Sequence, residues 1–66
     1  MAATDQASIV TIRIFGLAIA EETYFHLRLV AKIKDKKVED IVSKAFNMYD
    51  ISEKAILRYL VTILYD

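Results

Sequence analysis

EETYFHLRLVAKIK-DKK-VEDIVSKAFNMY, residues 21–49, decides the fold of this chain. Apolar side chains recur in it every three or four positions, on both sides of the charged triplet at 35–37, and this is the period of an amphipathic helix. The pattern predicts two helices, over residues 20–34 and 37–49, joined by a very short turn. The turn contains no glycine, so we expect Asp35 to adopt the left-handed backbone conformation that ends the first helix.

The first predicted helix carries apolar side chains on two nearly opposite sides. Its inner stripe comprises Tyr24, Leu27, Val30 and Ala31, and its outer stripe, spaced by four, comprises Phe25, Leu29 and Ile33. A helix with two such stripes is expected to be packed from two directions. The second predicted helix has one wide apolar face, formed by Val38, Ile41, Val42, Ala45, Phe46, Met48 and Tyr49.

Upstream of the helices, the run VTIRI (residues 10–14) alternates apolar and polar side chains. A period of two with many β-branched residues predicts one β-strand, over residues 9–15, with one face buried. Gly16 is the only glycine of the chain, and after a strand it indicates a bulge, a bend or a close backbone approach. Residues 17–20 (LAIA) are compatible with two structures, a continuation of the strand beyond a bulge or the first turn of the helix.

Downstream, ISEKAILRYLVTILY (residues 51–65) predicts a third helix. Asp50 and Glu53 have the spacing of a capping box, in which the aspartate caps the first turn and the glutamate reaches back. The helix has only a narrow polar strip, so it must be buried on most of its circumference. We expect it to dock on the outer stripe of the first helix or on a second subunit, through Phe25, Leu29, Ile33, Ile56, Leu60, Ile63 and Leu64.

Composition limits the ways in which so short a chain can be stabilised. Sixty-six residues make one small domain with a marginal core, which needs a disulfide, a metal or a partner. Cysteine is absent and His26 is the single histidine, so disulfides and cysteine- or histidine-based zinc sites are excluded. With 56% apolar residues, oligomerisation is the expected solution. The predicted organisation is a flexible arm (1–8), a strand-helix-helix unit (9–50) and a C-terminal helix (51–66).

Charge and hydropathy exclude further classes of protein. Nine basic and nine acidic residues give a net charge of zero, so bulk charge does not indicate a nucleic-acid partner, although a local basic patch remains compatible with one. The N-terminal residues lack the pattern of a signal peptide. No uncharged apolar run approaches the ~20 residues that a membrane span requires. We therefore expect a cytoplasmic protein.

A strand followed by two helices with a three-residue turn resembles the ribbon-helix-helix family, the Arc/MetJ-type DNA-binding regulators. The resemblance covers residues 10–49. It is best over EETYFHLRLVAKIKDKKVEDIVSKAF, where an acidic helix start, aromatic-x-x-leucine, an alanine, the turn and (S/K)-V-x-(D/E)-(I/L)-(I/V) follow the family's pattern. It implies a mostly α fold with one β-strand, in which two protomers pair their strands into an intersubunit antiparallel ribbon. The implied dimer core is Val10, Ile12, Ile14, Tyr24, Leu27, Ala31, Val38, Ile41, Val42 and Ala45.

The resemblance also implies a function. In this family the β-ribbon enters the major groove of DNA, and side chains on its solvent face read base edges. On this chain Thr11 and Arg13 would read bases, while Lys36 and Lys37, with the amides near Val38, would hold a backbone phosphate. The implied protein is a homodimeric, sequence-specific regulator without a cofactor, namely a small transcriptional repressor or a plasmid or viral copy-control or partition factor.

A second hypothesis is a structural or adaptor module that uses the same dimer core for protein association without nucleic acid. The zero net charge favours it. So does the family's usual strand register, which would turn the neutral residues Ile14, Gly16 and Ala18 outward. Neither hypothesis is an enzyme, because the sequence lacks GxGxxG, P-loop and HExxH patterns and shows no set of acid, base and nucleophile. We expect His26 at the surface or at an interface.

Overall fold

Two β-strands and three α-helices follow one another along residues 10–65, the part of the chain that this computed structural model describes. Their bounds are β1 Thr11–Ile14, β2 Leu17–Ala20, α1 Glu21–Ile33, α2 Val38–Met48 and α3 Glu53–Leu64. None of these three helices has the length and apolar run needed to cross a bilayer. The arm predicted over residues 1–8 lies outside the described residues.

The two strands form an antiparallel hairpin, with Ile12 opposite Ile19 and Arg13 opposite Ala18. The prediction of one strand is therefore wrong, because residues 17–20 form a second strand rather than a continuation or a helical turn. The chain reverses at Phe15 and Gly16, whose φ angles are 52° and 84°, and two positive φ values are what a tight type I′ hairpin turn requires. The antiparallel partner of β1 thus lies within the same chain.

Phe15 explains why this turn is hard to recognise in the sequence. Bulky residues rarely adopt a positive φ, so the Phe15-Gly16 pair lacks the usual hairpin signal of asparagine or aspartate before glycine. The conformation is supported by tertiary packing, since the Phe15 ring meets the Phe46 ring edge-on at a centroid distance of 6.3 Å. Such aromatic pairs contribute about 0.5–1.5 kcal/mol, which is comparable with the cost of the backbone conformation.

The prediction of two helices joined by a short turn is confirmed. Helices α1 and α2 begin and end within one residue of the predicted bounds. Asp35 has a φ of 55°, as the short turn requires. The turn is closed by the Lys36 amide, which donates to the Ala31 carbonyl at 2.8 Å, so a carbonyl left free at the end of α1 is satisfied.

Helix α3 starts differently from the prediction. Its N-cap is Ser52, whose Oγ accepts a hydrogen bond from a first-turn amide at 3.1 Å. The capping box from Asp50 to Glu53 is wrong, because the Asp50 carboxylate accepts from the Ser52 hydroxyl at 2.6 Å instead. The Glu53 carboxylate accepts from the Thr23 hydroxyl and, at 3.3 Å, from the Ala20 amide. Glu53 therefore joins the start of α3 to the start of α1.

One hydrophobic core is shared by β2 and all three helices. Its fully buried large side chains are Ile19, Leu27, Val30, Ile41, Val42, Ile56 and Leu60. Ile12, Ile14 and Leu17 from the inner face of the hairpin pack against it and are half-buried. Their alternation with outward side chains is the two-residue period that the sequence shows.

The residues assigned to a shared dimer core are mostly used within the single chain. Leu27, Ala31, Ile41, Val42 and Ala45 are buried in the core just described. A further group is half-buried beside it, comprising Ile12, Ile14, Tyr24 and Val38. Val10 is exposed.

Helix α3 packs on the inner side of α1 and leaves the outer stripe uncovered. Ile56, Leu60 and Ile63 are buried in the core. The outer stripe of α1 remains open to solvent, with exposed fractions of 58% for Phe25, 58% for Leu29 and 62% for Ile33. Within one chain, α1 is therefore packed from one direction rather than from two.

Candidate nucleic-acid interface

The outer face of the hairpin carries the two residues predicted to read bases. Thr11 and Arg13 are both exposed on β1, whereas Ile12 and Ile14 point toward the core. Their cross-strand partners on β2 are alanines. Since a methyl group is short, the threonine and the arginine reach furthest from this face. Of the set that the family's usual register would turn outward, Ile14 is half-buried, whereas Gly16 and Ala18 are exposed.

Arg13 is oriented along the hairpin toward its tip. Its Nη1 donates a hydrogen bond to the Gly16 carbonyl at 2.8 Å. A guanidinium has five N–H donors in a planar fork, so this bond is compatible with a second, bidentate contact made by the same side chain. Because this hydrogen bond already restrains the side chain, Arg13 would lose less conformational entropy on binding a ligand.

A cleft of about 470 Å³ lies between β1 and the start of α2. Arg13 from the strand and Lys37 from the interhelical turn both line it. The resemblance implies base reading for the first of these residues and phosphate binding for the second. Tyr24 forms part of the wall, and the guanidinium carbon of Arg28 lies 5.8 Å from the centroid of the Tyr24 ring. Thr11 is not among the residues that line the cleft.

The N-terminus of α2 opens at this cleft. Lys37 is its N-cap, and no side chain accepts a hydrogen bond from the first turn there. Uncapped first-turn amides, together with the positive end of the helix dipole, favour an anion at this position. Glu39 and Asp40 lie in the same turn and oppose an anion, so the lysine and arginine charges are needed to make the cleft attractive to a phosphate.

Lys36 faces a second cleft, of about 480 Å³, on the other side of the turn. Lys37 lines both clefts, and the second one is also lined by Lys44 and by two acids, Asp35 and Asp40. Lys44 is exposed on α2, and it is not among the residues that the sequence predicts to bind DNA. Its spacing of seven residues from Lys37, about two helical turns, is the signal that places both lysines on one side of α2.

The charge of the chain is concentrated near this turn. Residues 34–44 contain four of the nine basic residues and three of the nine acidic residues. A net charge of zero for the whole chain therefore conceals a locally positive region. Local charge, rather than net charge, determines where a polyanion binds.

Other chemistries have less support in the described part of the chain. Within residues 10–65 no three histidine, cysteine, aspartate or glutamate side chains are grouped as a metal site requires. His26 lies exposed on α1. Comparisons with protein-family models, with curated proteins and with solved structures found no match.

Proposed function

We propose that this chain is a homodimeric DNA-binding regulator that lays the outer face of its β-hairpin in the major groove of duplex DNA. The observation that carries the proposal is the shared cleft of Arg13 and Lys37, which joins a base-reading position to a phosphate-binding position. The major groove is about 12 Å wide and admits a two-stranded β-ribbon. A repressor or a plasmid or viral copy-control or partition factor would act in this way.

The outer face of the hairpin would supply sequence readout. The guanidinium of Arg13 can bind the O6 and N7 acceptors of guanine in a bidentate manner, and Thr11 can bond a base edge or contact a thymine methyl group. The alanines opposite them on β2 allow the ribbon to approach the bases closely. Readout would therefore come mainly from one strand of the hairpin.

The start of α2 would hold the DNA backbone. Lys37 and the uncapped amides of the first turn can bind one phosphate, and Lys36 can bind the next along the strand. These contacts carry no sequence information but set the position of the hairpin in the groove.

The proposed ribbon differs from that of the ribbon-helix-helix family in its origin. Each protomer would contribute a complete hairpin, since β1 and β2 pair within one chain. A dimer would then place two hairpins on two half-sites, whose separation is set by the dimer geometry.

Duplex binding and its dependence on salt test the proposal. Fluorescence anisotropy with a short random-sequence duplex should show binding at low salt that weakens steeply as salt is added, because counterions are released from the neutralised phosphates. Lys37→Ala should weaken binding and reduce the slope of log K against log salt by about 2, because the homodimer contains the substitution twice. Arg13→Ala should weaken binding to a selected target site by about 1–3 kcal/mol.

Lys32→Ala is the matched control, since it removes one exposed cation that lines neither cleft. It should lower affinity much less than Lys37→Ala does. The proposal fails if the wild-type protein binds no duplex at low salt. It also fails if Lys32→Ala, Lys37→Ala and Arg13→Ala have equal effects.

A protein-association module without nucleic acid is the second candidate. The exposed outer stripe of α1 favours it, because three large apolar side chains in line are a feature of association surfaces. Assembly of the chain without any duplex binding at low salt would support this candidate over the first.

A further inference from the structure

We propose that the homodimer forms through one continuous apolar face on α1 and α3, and that its occupant is the same face of a second copy. This α1–α3 face consists of Phe25, Leu29, Ile33, Leu57, Val61 and Leu64, all of which are exposed. The inference rests on the homodimer of the proposed function and names its interface. It does not depend on DNA binding.

One contact between α1 and α3 indicates how the exposed stripes of the two helices lie. The Glu53 carboxylate touches α1 through the Thr23 hydroxyl, and Leu57 and Val61 follow Glu53 at four-residue steps, on the same side of α3. On α1, Leu29 lies six residues beyond Thr23, which rotates it by about 120° around the helix, away from the buried side that carries Thr23 and toward solvent. The exposed stripes of both helices therefore lie on the solvent side of the pair that α1 and α3 form.

The size of this face fits a dimer. From the exposed fractions of its six side chains, the apolar area is on the order of 600 Å², at the upper end of what a monomeric protein leaves in one patch. A standard interface buries about 800 Å² on each partner, with a polar rim around an apolar centre. The six side chains would supply the centre, and neighbouring polar residues would supply the rim.

One acid on α1 and one base on α3 are placed so that they can pair between two copies of the face. On α1, Glu22 precedes Phe25 and Leu29 by three and seven residues. On α3, a base stands at the same spacing, since Lys54 precedes Leu57 and Val61 by three and seven. An isologous interface brings each residue against a different residue of its partner. When α1 packs on α3 of the second copy, the acid of one chain meets the base of the other.

The surface of α3 also has room for a partner side chain. A shallow concavity of about 520 Å³ is lined by Lys54, Leu57, Arg58 and Val61. Phe25 is the bulkiest side chain of the α1 stripe, and a second copy would place it over this concavity. Aromatic side chains that fill such depressions commonly dominate the energy of an interface.

Sedimentation equilibrium over a range of concentrations tests the inference without DNA. The wild-type protein should be a dimer, and Leu29→Glu should raise its dissociation constant about 100-fold or more, because an isologous interface contains the substitution twice. Ile51→Glu is the matched control, an exposed apolar residue outside the face, and should leave the dimer intact. Circular dichroism of both variants establishes that each is folded.

A charge exchange tests the arrangement of the two copies. Glu22→Lys and Lys54→Glu should each weaken the dimer about threefold, and the double variant should recover most of the loss. A wild-type protein that stays monomeric overturns both the interface and the homodimer, while duplex binding remains to be measured separately. A folded Leu29→Glu protein that remains a dimer overturns the interface alone, and additive losses in the double variant overturn the pairing of α1 with α3.

Discussion

Leu27 and Leu29 are the same residue type, two positions apart on one helix, in opposite environments. Leu27 is completely buried, whereas 58% of Leu29 is exposed. Two residues turn an α-helix by about 200°, so one side chain enters the core and the other points away from it. Both belong to regular apolar stripes. The periodicity of apolar residues therefore identifies the apolar faces of a helix, but it does not identify what covers each face.

The largest expected effect is the difference between truncating these two leucines. Leu27→Ala should lower the free energy of unfolding by about 2–5 kcal/mol, because it removes buried apolar contacts and leaves a cavity. Leu29→Ala should change it by less than about 0.5 kcal/mol in the monomer. Urea unfolding followed by circular dichroism, at protein concentrations too low for dimerisation, measures both values. Equal losses would show that the outer stripe is also covered within the chain.

Two nearby residues at the start of α3 also differ in their environments, and their substitution is expected to change stability by a smaller amount. Ser52 caps the helix, while Asp50, two residues earlier, accepts from the serine hydroxyl. Ser52→Ala should cost about 1 kcal/mol, the usual value of an N-cap. Asp50→Ala should cost less, since the serine can still accept from the first-turn amide. Thermal unfolding of the two variants measures which residue caps α3. A larger loss of stability for Asp50→Ala than for Ser52→Ala would support Asp50 as the N-cap, as the sequence predicts.

The helices were predictable because their signals are local. The apolar period of residues 21–49 and the charged triplet between its halves locate α1, the turn and α2 within one residue. Asp35 was identifiable as the left-handed residue because few side chains tolerate that conformation. The cap of α3 was misassigned because Asp50 and Ser52 are both good N-cap residues, and the choice depends on where Glu53 finds a partner across the fold.

The hairpin was not predictable because its turn depends on tertiary packing. Phe15 adopts a positive φ against the preference of a bulky residue, and its contact with Phe46, thirty-one residues later, has no signature in the local sequence. The second strand, LAIA, is short and lacks strong β-formers apart from Ile19. The segment therefore gives only a weak sequence signal for a second strand.

The candidate site was partly accessible from the sequence. Thr11 and Arg13 could be placed on one face of a strand by their alternation, and the structure exposes both. That Arg13 and Lys37 line one cleft could not be predicted, because this proximity is set by the way the hairpin folds back on α2. The functions assigned to these residues stay predictions.

The most direct test of the central claim is an NMR titration of the isotope-labelled protein with a duplex at low salt. If the hairpin and the start of α2 form the DNA interface, the amide signals of Thr11, Arg13, Lys37 and Val38 should shift in proportion to bound duplex. The signal of Leu29, on the α1–α3 face, should stay in place. An absence of shifts, or shifts confined to the α1–α3 face, would contradict the account.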